Sequence, residues 1–349
     1  MNQVRGKRLR GMVLAAGLGK RLRPLTWLMA KPAVPFLGKP LIHYSLDLLG
    51  ETGIRDIAVN LHYMPQTVES VLEGRPESIR LSREDRILGT GGCLGRLRDF
   101  FKDSTIVISN GKIFFADPGL DAAIKDHHDR RSWVTMVLVP FRRGMPYQKV
   151  YLDRERKILG FSRNISSEQE LRKLSGGTIP DSYVFTGIQI IDSGVLDFIP
   201  DGPSDTVSEI YPKLIDNGIP LRGFISEGFW KECSTPERYL EASLAVMGWM
   251  SAGGEQRKGM PDDGTYRGDS VKIPESTSLY NSIIWDDSRL GKNSSFENVI
   301  VAGTEGSLPD GLEVRNAVVT PLLEEIPEKL PADIIKGPNY MIWPIQKTG

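Results

Sequence analysis

Leu9-Arg-Gly-Met-Val-Leu14-Ala-Ala-Gly17-Leu-Gly19-Lys-Arg21-Leu-Arg-Pro24-Leu-Thr-Trp-Leu-Met-Ala-Lys31-Pro-Ala-Val-Pro35 joins a short apolar run to a loop carrying glycines, cations and prolines. Residues 9–15 read as a buried strand. Gly17 and Gly19 let the backbone approach a ligand closely and turn its N–H groups toward phosphate oxygens. Arg21 supplies a forked donor suited to phosphate, and Lys31 a mobile point charge. Pro24, Pro32 and Pro35 stiffen the path and hold both cations in place. The combination is a triphosphate cradle. Other phosphate motifs fail on it. A P-loop needs glycine where Leu14 stands and Ser or Thr where Arg21 stands. A dinucleotide fingerprint needs glycine at Leu22, and Gly89-Thr-Gly91 fails likewise because Leu94 takes the third glycine position.

Outward from this loop, strands alternate with helices. Ile42, Leu46 and Leu49 recur at helical spacing, with Gly53 placed to end the helix. Ile57–Leu61 reads as a strand, and Pro65 stands where a first helical residue would. A strand at 79–83 precedes a helix carrying Leu94, Leu97 and Phe101. Thr105–Ser109 and the run from Ser132 to Val139 are further strands, 149–161 and 183–191 add strand-like pieces, and Pro236–Met250 reads as a helix. The alternation predicts an α/β fold, Rossmann-like, with a mostly parallel sheet and helices on both faces. Ligands of such sheets bind at the carboxyl ends of the strands, where the loops 15–21 and 110–112 both fall. After a Gly- and charge-rich linker at 251–264, apolar residues recur every six positions: Ile273 and Leu279, then Ile284, Leu290 and Phe296. Period six with turn residues between them predicts a short parallel β-helix, against the plainer reading of an irregular β-appendage. The apolar tail ending in Met341-Ile-Trp-Pro-Ile345 is expected to dock, without a site the sequence names.

The chain has 349 residues, with 44 Lys+Arg balanced by 44 Asp+Glu. That length predicts two domains, and the balance argues against a nucleic-acid binder working through bulk charge. No apolar run is long enough to span a bilayer, so no membrane partner is expected. The basic N-terminus lacks a leader-type cleavage site. Cys93 and Cys233 form no disulfide framework and no zinc cluster, which reads as a cytoplasmic chain.

Gly17-x-Gly19-x-Arg21-Leu-x-Pro24-Leu-Thr26 followed by Lys31-Pro32-x-x-Pro35 resembles the signature of the sugar-1-phosphate nucleotidylyltransferases, which include the mannose-1-phosphate guanylyltransferases. The resemblance continues through Lys39-Pro40, Leu88-Gly-Thr-Gly-Gly92, Asn110-Gly111, Thr186-Gly187-Ile188 and Trp230-x-Glu232-x-Ser-Thr235-Pro236, covering roughly residues 8–250. It implies a nucleotidyltransferase domain at 1–250 and, at 265–349, the left-handed β-helix many members carry, with the tail. It implies NTP and sugar 1-phosphate as substrates, with a lean to GTP and mannose 1-phosphate. By resemblance, Leu14, Ala15, Ala16, Gly17 and Gly19 meet the nucleotide. Arg21 holds the β- and γ-phosphates and Lys31 neutralises the α-phosphate. Thr90, Gly91 and Gly92 lie along the base, Gly187 approaches the sugar, and Asn110 is a further substrate-binding residue.

The chain departs from the family pattern at three places. The family's Asn-Gly-Asp, whose aspartate binds Mg²⁺, is Asn110-Gly111-Lys112; its second metal aspartate is Glu232; and the lysine that holds the sugar phosphate is replaced by Arg163. Glu232 keeps a carboxylate for Mg²⁺. Lys112 shifts the local charge by two units, where one unit pair at 4 Å is worth about 4 kcal/mol at an effective dielectric of 20. The metal should then bind on the order of a thousandfold more weakly. Lys112 either neutralises phosphate in place of the metal, swings to solvent, marks a non-catalytic paralogue that binds sugar nucleotide and regulates a partner, or is a loop-end lysine with no role. A homodimer or a catalytic paralogue is the protein partner these readings allow. Asp117 reads as the cap of the following helix. His127 and His128 read as a solvated helix face, both cysteines as packing residues, His43 and His62 as structural, and Asp205 as a helix start.

Overall fold

The strand that opens the chain forms because Leu9, Met12 and Val13 bury their side chains on the faces of a sheet covered on both sides. The computed structural model describes residues 3–4, 7–253, 263–304, 306–323 and 333–346. It divides into two units: Met1–Gly17, Ile42–Pro65 and Leu72–Trp230 form the first, and Leu18–Leu41, Gln66–Val71 and Lys231–Gly349 the second.

The first unit's sheet contains β1 (Lys7–Leu14), β2 (Asp56–Leu61), β3 (Ser78–Arg83), β4 (Ser104–Asn110), β5 (Val134–Pro140), β6 (Lys149–Leu152), β7 (Ile158–Phe161), β8 (Ser182–Asp192) and β9 (Leu221–Ile225). β1 lies parallel to both β2 and β4, β2 to β3, and β9 to β5. The expected parallel arrangement holds there and fails at β8, which runs antiparallel between β4 and β5. The β6–β7 hairpin extends β8, also antiparallel. The register of β8 against β5 shifts between Phe185 and Gln189, a bulge centred on Gly187, and bulges of this kind re-aim residues beside functional sites. The core runs from Met12, Ile106 and Ile108 to Leu138, Ile191 and Tyr211.

α1 (Leu41–Glu51) buries Ile42, Leu46 and Leu49 completely, and Gly53 follows it with φ +76. α2 (Pro65–Leu72) begins at its proline. α3 (Gly89–Arg96) stops short of the single helix expected through Phe101: Leu97 leaves helical geometry and bonds back to the Leu94 carbonyl at 3.0 Å, and Arg98–Phe101 forms a separate turn. α4 (Leu120–Asp129) corrects two readings. Gly119 (φ +69), not Asp117, occupies its cap position, with Asp117 itself at φ +50. His127 and His128 are not a solvated face; they are 2% and 9% exposed. Adjacent helical residues lie about 100° apart and both fit within one wide buried stripe. Here Thr135 Oγ1 of β5 meets His127 Nδ1 at 2.9 Å.

In the second unit, α5 (Pro236–Ala252) is capped by Thr235 Oγ1, which accepts the Arg238 N–H at 3.2 Å. The expected linker falls mainly on 254–262, outside the described residues. Beyond it come β10 (Tyr266–Arg267), β11 (Ser278–Tyr280), β12 (Ile283–Ile284), β13 (Ser295–Val301), β14 (Glu313–Pro321), β15 (Ile335–Lys336) and β16 (Tyr340–Pro344). Tyr266 pairs with Ile283, Ile283 with Ile300 and Ile300 with Val318, all parallel, in steps of 17 or 18 residues. Three six-residue periods therefore make one step, with Leu279, Ile284, Leu290 and Phe296 in the enclosed core. The tail docks as β16, antiparallel on β14. Trp343 lies 5.0 Å from the Trp27 ring and donates its Nε1–H to Thr320 Oγ1 at 3.0 Å.

Candidate active site

At the carboxyl ends of β1 and β4, Leu14 is the register partner of Asn110, and the Gly111 N–H donates to the Leu14 carbonyl at 3.0 Å. The bulge of β8 brings Gly187 onto the same spot. A Cβ on Gly187 would lie 2.5 Å from Asn110 Nδ2, and its φ of +92 excludes ordinary side chains. Ser45 Oγ, which receives a bond from Ser109 Oγ, donates to the Asn110 carbonyl at 2.9 Å. Leu14, Asn110 and Gly187, far apart in sequence, are thus one cluster. Half-buried Lys112 follows directly, its N–H bonded to the Asn110 carbonyl at 2.8 Å. Trp230 Nε1 fixes the neighbouring Thr186 carbonyl at 2.9 Å.

The loop leaving β1 is tied by residues that sequence reasoning missed. The Ala15 N–H donates to Asn60 Oδ1 at 2.9 Å, and Asn60 Nδ2 donates to Glu84 Oε1 at 2.9 Å. The other Glu84 oxygen accepts the Leu88 N–H at 2.9 Å. Asn60 and Glu84 are each 4% exposed. A buried carboxylate with charge-assisted bonds therefore couples the Ala15–Gly17 loop to the one that opens α3. The available signal was a polar Asn60 ending the apolar Ile57–Val59 run. His62, as expected, is structural: its Nδ1 lies 2.8 Å from the Glu84 carbonyl.

The glycines at 89–92 have a packing reason. Cβ atoms there would meet the Ser204 carbonyl at 2.4 Å (Gly89), Ser204 Oγ at 2.6 Å (Gly91) and the Gly202 carbonyl at 2.3 Å (Gly92). The Gly91 and Gly92 N–H groups donate to the Ser204 carbonyl at 2.9 and 3.3 Å, and Thr90 Oγ1 bonds Asp205 Oδ2 at 2.9 Å. Those amides are engaged within the protein. Asp205 also accepts from the Ser208 N–H at 2.7 Å, which makes it the helix start the sequence predicts. Gly17 differs, because among the described residues nothing lies within 4 Å of where its Cβ would be, and open space lies beside its backbone. Arg163 sits exposed after β7, where the Gln148 carboxamide oxygen accepts from its Nε and Nη2 at 3.0 Å.

In the second unit, Gly19 (φ +63) would carry a Cβ 2.8 Å from Thr26 Cγ2, and Thr26 Oγ1 donates to the Gly19 carbonyl at 3.0 Å. Lys31, 9% exposed, opens the short turn 31–33. Arg21 is exposed and lines a cavity of about 290 Å³ with Arg23, Trp27, Thr235 and Trp343. Tyr239 OH donates to the Pro35 carbonyl and accepts from Trp285 Nε1 at 3.0 Å, anchoring the end of the proline-rich loop. Cys93 and Cys233 are both buried, and burial pushes the Cys93 thiol far up, as suits packing residues.

Mg²⁺ takes about six oxygen ligands, usually one or two carboxylates completed by substrate phosphates and water. Among the described residues, no group of three or more His, Cys, Asp or Glu could hold a metal. The position after Asn110-Gly111 is a lysine. The Glu232 carboxylate lies 3.9 Å from Arg238 Nη1, with both side chains mostly buried. Of the two positions where the resemblance implies a Mg²⁺ ligand, one keeps a carboxylate, Glu232, and the other is Lys112.

The nucleotidyl transferase family model matches residues 10–247. A UTP–glucose-1-phosphate uridylyltransferase of Synechocystis sp. is 28% identical over 68% of this chain and 63% of its own length. A mannose-1-phosphate guanylyltransferase of Mycobacterium tuberculosis is 26% identical over 68% of this chain and 64% of its own length. The chain thus spans just under two thirds of those two relatives. The crystal structure of HddC from Yersinia pseudotuberculosis complexed with GMP-PN shares the fold, with a TM-score of 0.55 at 20% identity over 68% of this chain and 99% of that one. With the family match covering the sheet, the Gly17–Lys31 loop and the Asn110–Gly187 cluster, this chain belongs to the nucleotidyl transferase family.

Proposed function

We propose that this chain transfers a nucleoside monophosphate from an NTP to a sugar 1-phosphate, releasing pyrophosphate, with GTP and mannose 1-phosphate as the preferred pair. The observation that carries the reading is the open backbone at Gly17, leaving β1 beside the Asn110–Gly187 cluster. A sugar-phosphate oxygen attacks the α-phosphorus in line, and the bond to the β-phosphate bridging oxygen breaks. Little covalent chemistry is asked of the protein, so positioning and charge neutralisation carry the rate. The backbone from Leu14 to Gly17, with Gly19, cradles the nucleotide; Arg21 takes the β- and γ-phosphates and Lys31 the α-phosphate. Thr90–Gly92 flank the base, Asn110 and Gly187 face the sugar, and Arg163 takes its phosphate.

The guanine and mannose preference draws on the name of the M. tuberculosis relative, against which stands the uridylyltransferase from Synechocystis. Two free buried cysteines suit a cytoplasmic enzyme. The 17–18-residue steps support a left-handed β-helix at 265–349. The non-catalytic reading gains nothing from these two relatives, both named as transferases. The test is pyrophosphate release across four NTPs and a panel of hexose 1-phosphates, with Arg21→Ala alongside. Turnover that Arg21→Ala abolishes supports the reading. Silence with every pair sinks it.

A further inference from the structure

We infer, resting on the proposed function, that Gln148 is a positioning residue for the phosphate of the sugar substrate: its carboxamide holds one edge of the Arg163 guanidinium and leaves another edge for the phosphate. The backbone brings the two side chains together. β6 and β7 form a hairpin in which Val150 faces Phe161. One position further on, the Lys149 N–H donates to Ser162 Oγ at 3.0 Å and the Ser162 N–H to the Lys149 carbonyl at 2.9 Å. Gln148 and Arg163 are the next residues outward on the two strands. Arg163 is also held in a turn, because the Asn164 N–H returns to the Phe161 carbonyl at 2.8 Å. This end of the hairpin runs toward the Asn110–Gly187 cluster. β6 is antiparallel to β8 with Lys149 opposite Val184, so stepping back from Lys149 moves along β8 toward Gly187. The Tyr147 ring lies 5.1 Å from that of Trp230, whose Nε1–H bonds the Thr186 carbonyl at 2.9 Å. All of these residues belong to the first unit.

The chemistry of the contact decides what is left for a ligand. A guanidinium carries its N–H donors in a planar fork. The Gln148 carboxamide oxygen accepts from Nε and Nη2, each at 3.0 Å, which occupies one edge. The Nη1–Nη2 edge keeps a parallel pair of donors, the geometry that meets two oxygens of a phosphate. Gln148 is neutral, so the contact orients the cation without cancelling its charge; a carboxylate in its place would do both. Arg163 is exposed, and an exposed arginine surrenders rotamer freedom when it binds an anion. A partner that orders it beforehand reduces that cost. A lysine, a point charge without a planar fork, could not be oriented in this way.

Steady-state kinetics of pyrophosphate release by the full chain, with its preferred NTP and hexose 1-phosphate, test the inference. Gln148→Met, of similar length and without the acceptor, should raise KM for the sugar 1-phosphate about tenfold, the scale of ordering one long side chain. Both kcat and the KM for the NTP should stay within about twofold. In an Arg163→Ala background the same change should add less than about twofold, since no guanidinium remains to be positioned. Gln148→Glu should hold Arg163 and neutralise it, raising the sugar-phosphate KM about tenfold at unchanged thermal stability. A residue that merely braced the hairpin would tolerate glutamate. Position 148 is exposed, and thermal unfolding of each variant checks that it folds; should Gln148→Met fail to fold, Gln148→Glu decides. A wild-type KM in either variant overturns the inference and leaves the proposed function standing. So does an equal effect of Gln148→Met with and without Arg163, or an equal rise in the KM for the NTP. Absence of turnover with every pair in the wild type overturns both.

Discussion

Gly187 and Asn110 are in contact so close that a single added carbon on Gly187 would lie 2.5 Å from the Asn110 carboxamide nitrogen. Seventy-seven positions separate them in sequence, and the bulge in β8 brings them together. Gly187→Ala should therefore cost stability, about 1–3 kcal/mol from the left-handed backbone alone, and push Asn110 out of place. Urea unfolding measures the first effect and sugar-phosphate affinity the second. An unchanged midpoint together with unchanged affinity would refute the contact.

Asn60 links the Ala15 amide to Glu84, so Asn60→Ala strands a buried donor and a buried carboxylate oxygen. We expect a loss of about 1–3 kcal/mol and weaker triphosphate binding, because both loops tied by the pair lose their anchor. Chemical denaturation and calorimetric titration of the same variant separate the two. Stability lost with triphosphate affinity intact would show that the link is structural only.

His127 makes stability depend on acid. Burial, with a smaller contribution from neighbouring His128, pushes its imidazole down to about 4 from 6.5. The unfolded chain then binds a proton that the folded chain refuses between those values, so stability is complete above about pH 6.5 and falls as pH drops toward 4. The shift corresponds to about 3 kcal/mol. Urea midpoints from pH 7 to pH 4 should show a decline that His127→Gln makes shallower. Parallel curves for the two proteins would count against it.

Trp343 carries the docking of the tail, being 5% exposed against Trp27. Trp343→Ala should destabilise the second unit by about 3–5 kcal/mol, while Ile335→Ser, at a position 59% exposed, should be near neutral. Guanidinium unfolding of both variants is the comparison. Equal effects would mean that the tail adds little.

Local patterns read correctly wherever one segment contained its own instruction. The strands at 7–14, 56–61 and 104–110 and the proline-led starts at Pro65 and Pro236 all formed as the residues predicted. The Gly17–Lys31 loop was legible because glycine, arginine, lysine and proline each impose their own geometry or charge. His127 and His128 misled because helical spacing identifies a face without naming what covers it. The glycines at 89–92 have a packing reason the sequence does not show, since Gly202 and Ser204 lie against them.

The sequence by itself thus determined the alternation of strands and helices, the glycine- and cation-bearing loop after β1 and the lysine at position 112 beyond the end of β4. Each depends on backbone propensity, periodicity or side-chain charge, properties local to a few residues. Only the tertiary structure decided the antiparallel course of β8, the Gly187–Asn110 contact, the buried Asn60–Glu84 link and the seat of the tail on β14. Those are pairings between segments tens to hundreds of residues apart. Burial and hydrogen bonding select such partners only once the whole chain has closed upon itself.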